Sequence, residues 1–123
     1  MNVVDSSGWL EYFTGSVLAK SYAPYLEKRA EILIPSLVLY EVYRCIKKHE
    51  SEEEAIKYTA QMSQAKVVNL DDSLALLAAD LSLEYHLAMA DSIVYATALS
   101  HHAKLITSDA DFKELPGVVY FKK

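Results

Sequence analysis

Cysteine, glycine and proline are all scarce in this chain: Cys45 stands alone, with three glycines and three prolines among 123 residues. One cysteine excludes an intrachain disulfide, and its place in an apolar helical pattern reads as a small buried hydrophobe rather than a reactive thiol. The few glycines and prolines leave no linker, and neither an internal repeat nor a low-complexity segment interrupts the sequence. No apolar run approaches the length of a membrane span. The opening Met1-Asn2-Val3-Val4-Asp5 lacks the basic start and long apolar stretch of a signal peptide and reads as a strand, so the expected location is the cytoplasm.

What is present describes one globular domain over residues 1–123. Apolar residues make up 52% and charged residues 24%, enough for one real core, in a chain too short for two. The formal net charge of −5 argues against a nucleic-acid partner, since such domains are usually basic. The placing of the acids changes that inference. Without Asp5, Glu41, Asp91, Asp109 and Asp111, the 17 acidic residues fall to 12 and match the 12 lysines and arginines. A cation held among those five would present a different field from the one the summed charge implies.

Apolar runs and capping residues divide the chain into alternating strands and helices. Met1 to Val4, Ile32 to Ile34, Val67 to Leu70, Lys104 to Thr107 and Val118 to Phe121 read as strands. Ser6-Ser7 supply N-cap chemistry for a helix through Trp9, Leu10 and Phe13, and Gly15-Ser16 restarts a helical pattern through Val17, Leu18, Tyr22 and Leu26. Ser36 caps a helix from Leu37 to about His49. Ser51-Glu52-Glu53-Glu54 opens the next, to about Ala65, because acidic residues suit the positive end of the helix dipole. Asp71 or Asp72 caps a helix from Leu74 to about His86, another follows from about Ala88 to His101, and Asp109 to Leu115 forms a short helical turn. Strands without polar alternation are buried on both faces, as in parallel sheets. The fold class is therefore α/β: a three-layer α/β/α sandwich with a central, mostly parallel five-stranded sheet. Its active crevice is expected beyond the carboxyl ends of the strands, where Asp5 and Asp109 both fall.

Four of the acids occupy costly places. Asp5 closes the first strand, Glu41 interrupts Leu37-Val38-Leu39-Tyr40 and Val42-Tyr43, Asp91 sits inside an Ala-rich apolar helix, and Asp109 follows Leu105-Ile106-Thr107. Each also has a purely structural reading. Asp5 could cap the first helix, Glu41 could pair with Arg44 or Lys48, Asp91 suits a helix start, and Asp109 and Asp111 could cap a turn. Together they form the oxygen ligand set of Mg²⁺ or Mn²⁺, which neutralises charge on a phosphodiester and acidifies water. The spacing argues against zinc: His49, His86, His101 and His102 make no ligand pattern with Cys45.

The order and setting of these residues resemble a known family. Val3-Val4-Asp5-Ser6-Ser7, Pro35-Ser36-Leu37-Val38-Leu39-Tyr40-Glu41-Val42, Ala90-Asp91-Ser92-Ile93-Val94-Tyr95-Ala96-Thr97-Ala98 and Leu105-Ile106-Thr107-Ser108-Asp109-Ala110-Asp111-Phe112 resemble the four motifs of the PIN domain. Specifically, the chain resembles the VapC-type ribonuclease toxins of prokaryotic toxin–antitoxin pairs, and the resemblance covers essentially the whole chain. It implies a PIN-like fold with Asp5, Glu41, Asp91 and Asp109 as an acidic Mg²⁺ or Mn²⁺ site and Asp111 as a supporting ligand or a cap. It implies that Ser7 and Thr107 orient the acids. It also implies single-strand-selective cleavage of RNA, a homodimer, and inhibition by a VapB-type antitoxin that blocks the acidic pocket.

Arg44, Lys47 and Lys48 form the best basic cluster, one to two turns from Glu41, so Arg44 and Lys48 are candidate contacts for RNA phosphates; a solvated helix face is the alternative. Nine tyrosines and one tryptophan, among them Trp9, Tyr12, Tyr40, Tyr43 and Tyr58, serve either the core or an antitoxin surface. Two rival functions share part of the chemistry: an RNA-processing PIN nuclease that is not a toxin, and a receiver-like Mg²⁺-binding signalling domain. The receiver would need paired acids after the first strand, where Asp5 stands alone.

Overall fold

Short apolar segments make the sheet. In the computed structural model, which describes residues 1–123, they are β1 (Asn2–Val4), β2 (Ile32–Pro35), β3 (Lys66–Val68), β4 (Lys104–Thr107) and β5 (Val118–Tyr120). The strand order is β3-β2-β1-β4-β5, and all four pairings are parallel. The sheet is thus wholly, not mostly, parallel. Consecutive residues of a strand point to opposite faces, yet Val3 and Val4, Ile32 to Ile34, and Leu105 and Ile106 are all buried. Both faces of the central strands are therefore covered, which makes the three layers. The order also departs from the 2-1-3-4-5 arrangement of receiver-like folds.

Six helices cover the sheet: α1 (Ser6–Thr14), α2 (Ala19–Leu26), α3 (Ser36–His49), α4 (Glu52–Met62), α5 (Asp72–Tyr85) and α6 (Met89–Ser100). A 3₁₀ turn at Ala110–Phe112 follows β4. Several boundaries differ from the sequence expectation, each for a local reason. Of the two readings of the α1 cap, Asp5 and Ser6-Ser7, the structure has Asp5, whose carboxylate accepts from the Gly8 N–H. Ser36 is the first residue of α3 and not its cap, since Pro35 is still paired with Val68 in the sheet. Gly15 ends α1 in the left-handed region, at φ 68°, and α2 begins only at Ala19. The third strand stops at Val68, short of Leu70, and Asp71 caps α5 through the Leu74 N–H. Ser51 caps α4 as the acidic run behind it suggested, accepting from Glu54 N at 3.1 Å.

Gly8 fixes the distance between α1 and the sheet. A Cβ there would stand 2.5 Å from Val4 Cγ1 and 2.6 Å from Tyr22 Cε1. Both neighbours are fully buried, so neither can yield cheaply. Gly8→Ala should therefore destabilise the protein by about 1–3 kcal/mol, the usual cost of overpacking. Urea unfolding measures this; a midpoint at or above that of the wild type would show that α1 can shift outward at no cost.

Candidate metal centre

From β1 the chain steps outward through β2 and β3, then returns to the other side of β1 as β4. A crevice opens beyond the carboxyl ends of the strands at such a reversal. The register that pairs Val4 with Ile106 sets Asp5 beside Thr107. Thr107 is fully buried and uses its hydroxyl twice: it donates to Asp5 Oδ2 and accepts from the Asp109 backbone N–H at 3.0 Å. Asp5 Oδ1 accepts from the Gly8 N–H at 3.0 Å, so both oxygens of this buried carboxylate are held. Asp109 caps the 3₁₀ turn, accepting from the Asp111 N–H at 2.9 Å, and buried Phe112 anchors that turn.

Asp91 enters from the first turn of α6. Its carboxylate and those of Asp109 and Asp111 place oxygens within 4.8 Å of one another. Asp91 and Asp109 are half-buried and Asp111 is exposed. Like charges so close resist joint ionisation. The Asp91 carboxyl is pushed up to about 6, first by burial and then by the charges of Asp109, Asp111, Asp5 and Glu41. Burial also raises Asp5, against the lowering effect of its Thr107 and Gly8 hydrogen bonds, and the Asp109 charge adds to the rise. Glu41, half-buried on α3, is raised by burial; the Ser6 hydroxyl opposes this and the Asp5 charge reinforces it. The Tyr22 hydroxyl is pushed up to about 12, chiefly by burial, with Asp5 and Glu11 contributing, and stays neutral beside the acids.

Of the residues singled out from sequence, Asp91, Asp109 and Asp111 form the close group, and Asp5 and Glu41 flank it within electrostatic reach. Thr107, expected to orient the acids, hydrogen-bonds to Asp5 and to the Asp109 backbone. Ser7, also expected to orient the acids, is exposed, and Ser6, about 100° away around the helix, is the hydroxyl that faces Glu41. Arg44 lines a depression of about 390 Å³ together with Glu41, and Lys48 lines the adjoining one. Lys123 escaped the sequence reading altogether, although its charge lowers the Asp5 pKa. No local pattern could reveal it, because its approach depends on β5 lying beside β4. Three carboxylates with oxygens in mutual reach suit a hard divalent cation, which prefers oxygen ligands and relieves their repulsion.

Comparison with solved structures finds close matches to the fold. A toxin–antitoxin complex from Klebsiella pneumoniae matches with a TM-score of 0.83 and 28% identity, over 97% of this chain and 96% of that one. A sarcin–ricin loop cleaving VapC toxin of Mycobacterium tuberculosis matches with a TM-score of 0.78 and 15% identity over 100% of both chains. DNA-bound VapBC from Salmonella typhimurium gives a TM-score of 0.76 and 16% identity, over 98% and 96%. No curated protein sequence matches the chain. The model of one family, the PIN domain, matches residues 3–118, the span that contains every acid of the cluster; the chain belongs to the PIN domain family.

Proposed function

We propose that this protein is a metal-dependent endoribonuclease, hydrolysing RNA phosphodiester bonds with Mg²⁺ or Mn²⁺ held by Asp5, Glu41, Asp91, Asp109 and Asp111, and that it acts as the toxin of a toxin–antitoxin pair. The observation that carries the reading is the close group of three carboxylates at the reversal point of a PIN-domain sheet. The toxin role is supported by the likeness to the Klebsiella pneumoniae toxin–antitoxin complex, which extends over nearly the whole of both chains. A VapB-type antitoxin as the partner is supported by the likeness to DNA-bound VapBC from Salmonella typhimurium. A homodimer fits the apolar surface on α5 and at the start of α6, where Leu76, Leu83 and Met89 are 70%, 80% and 75% exposed. No helix is long and apolar enough to cross a membrane, and the proposed site of action is the cytoplasm, where RNA is met.

A bound divalent cation supplies positive charge against the developing charge of the phosphodiester and polarises water. The chain's own groups prepare for it. Thr107 and the Gly8 N–H fix both Asp5 oxygens, so that carboxylate does not have to be ordered on binding. The Asp109 backbone is tied to the same hydroxyl, which holds the two carboxylates in one relative position. Asp91, whose pKa is pushed up to about 6 first by burial and then by the neighbouring charges, would be held in its charged form by a bound cation.

Three outcomes test the reading. The purified protein should cut single-stranded RNA with Mn²⁺ or Mg²⁺, and EDTA, Asp5→Asn or Asp91→Asn should abolish the cutting; full metal-dependent activity in both variants would overturn the site. Thr107→Val keeps the shape but leaves Asp5 Oδ2 and the Asp109 N–H unpaired, and should lower activity by about 10–100-fold, the usual cost of losing a ligand's partner. Activity equal to the wild type would make Thr107 a purely structural residue. The third outcome concerns pH. Asp91 has a folded-state pKa of about 6 against 3.8 when unperturbed, so between these values the folded protein binds more protons than the unfolded one. Metal-free stability should therefore fall as pH rises through that window. Thermal melts in EDTA should show this slope flattened in Asp91→Asn, whose melting temperature at neutral pH should exceed that of the wild type. A lower one would make Asp91 a stabilising cap instead.

A further inference from the structure

The solvent face of α3 carries a feature that the acids do not explain. Tyr40, next to Glu41 in sequence, is 61% exposed. It and Arg44 are shared by two adjoining depressions. The first, about 390 Å³, also contains Glu41 and Ser6; the second, about 530 Å³, is lined by Tyr40, Tyr43, Arg44, Lys47 and Lys48 alone. The two make one shallow groove that starts at Glu41 and runs along the helix. At 1.5 Å per residue, Arg44 lies about 4.5 Å and Lys48 about 10 Å beyond Glu41.

The cations of this groove are not used within the fold. The only ion pair in the chain joins Lys47 Nζ to Glu52 Oε1 at 3.3 Å, and the Lys47 ammonium also sits 5.6 Å from the centre of the Tyr43 ring. Arg44 and Lys48 are exposed and have no carboxylate partner. In a chain of net charge −5, two unpaired cations flanking an open aromatic face beside an acidic cluster call for a polyanion with flat, unpaired rings. Single-stranded nucleic acid has that chemistry: a phosphate backbone for the cations and bases that stack on aromatic side chains.

We propose that this groove is a nucleotide subsite of the nuclease, in which one unstacked base of single-stranded RNA lies on the Tyr40 ring and the neighbouring phosphates lie on Arg44 and Lys48. The proposal rests on the nuclease reading above and adds to it the residues that select a single strand. A base inside a duplex is stacked on both faces and offers none to Tyr40. The subsite therefore favours loops and unpaired segments next to the bond that is cut, without reading a particular sequence.

Fluorescence anisotropy of a short labelled single-stranded RNA, in EDTA so that the strand is bound and not cut, tests the subsite. All the substituted residues are exposed or lie on the helix surface, and thermal melts check that each variant folds. Tyr40→Ala should weaken binding by about 10-fold, within the range for loss of one base–aromatic stack, and Tyr40→Phe should keep it. Arg44→Ala and Lys48→Ala should each reduce the slope of log affinity against log salt by about 0.7, the value for one phosphate contact on a single strand. Affinity for a duplex of the same composition should not respond to Tyr40→Ala. Unchanged single-strand affinity in Tyr40→Ala, or an equal loss on the duplex, overturns the subsite, and metal-dependent cutting by the same preparation leaves the nuclease reading standing. A groove that serves the antitoxin instead would lose antitoxin binding in these variants while RNA affinity held, which also overturns it. Wild-type protein that shows the Tyr40-dependent affinity yet cuts no RNA with Mn²⁺ upholds the subsite and removes the nuclease reading.

Discussion

The Thr107 hydroxyl is the one atom on which the arrangement at the sheet edge depends. It joins residues 102 positions apart, donating to Asp5 at the end of β1 and accepting from the Asp109 backbone just past the end of β4. A hydroxyl can do both at once, which no apolar side chain of the same shape can. Two segments that approach one another only through strand pairing are thereby set at a fixed offset. Because Thr107 is fully buried, neither of its bonds competes with water, and each is worth correspondingly more. The parallel register of β1 and β4 brings the partners together, and the hydroxyl then decides where the carboxylates sit.

Capping and clustering turn out to be one arrangement. Asp5 caps α1 with one oxygen and meets Thr107 with the other, and Asp109 caps the turn at Ala110–Phe112 while standing in the close group with Asp91 and Asp111. The hydrogen bonds that orient Asp5 favour its charged form, burial disfavours it, and burial wins. Orientation is therefore obtained without quenching the repulsion. On the nuclease reading, the cluster is then a source of instability in the metal-free protein, the usual trade between a functional site and the stability of its scaffold.

The fold was legible from sequence where the signal was hydrophobic and illegible where it was geometric. Ile32-Leu33-Ile34 and Lys104-Leu105-Ile106-Thr107 announce themselves as buried strands because nothing polar alternates through them. The cap of α1 stayed open between Asp5 and Ser6-Ser7 because all three have capping chemistry, and only the backbone path past Gly8 selects Asp5. The resemblance pointed to Ser7 as an orienting hydroxyl, whereas only the helix geometry shows that Ser6 is the one facing Glu41. Asp109 and Asp111 could not be ranked in sequence. Spacing alone does not say that a single 3₁₀ turn presents both carboxylates to Asp91. Tyr40 was visible as an aromatic on α3 but not as an exposed one, since its helical pattern contains apolar residues on both sides.

The net charge is the quantity that sequence misrepresents most. A sum of −5 describes a protein that should repel a polyanion. The structure concentrates five of the negative charges at one edge of the sheet and leaves cations at the margins of that edge, Arg44 and Lys48 along α3 and Lys123 near Asp5. Charges that alternate over distances comparable to the Debye length of about 8 Å are felt separately by a nearby ligand, and the total matters little. On the nuclease reading, a phosphodiester strand is drawn along the cationic margin and repelled from the acids themselves. Neutralisation of the acids by a cation removes that repulsion. The pattern of charge then makes productive approach conditional on a loaded site, and it does so with groups that a composition count would add together and cancel.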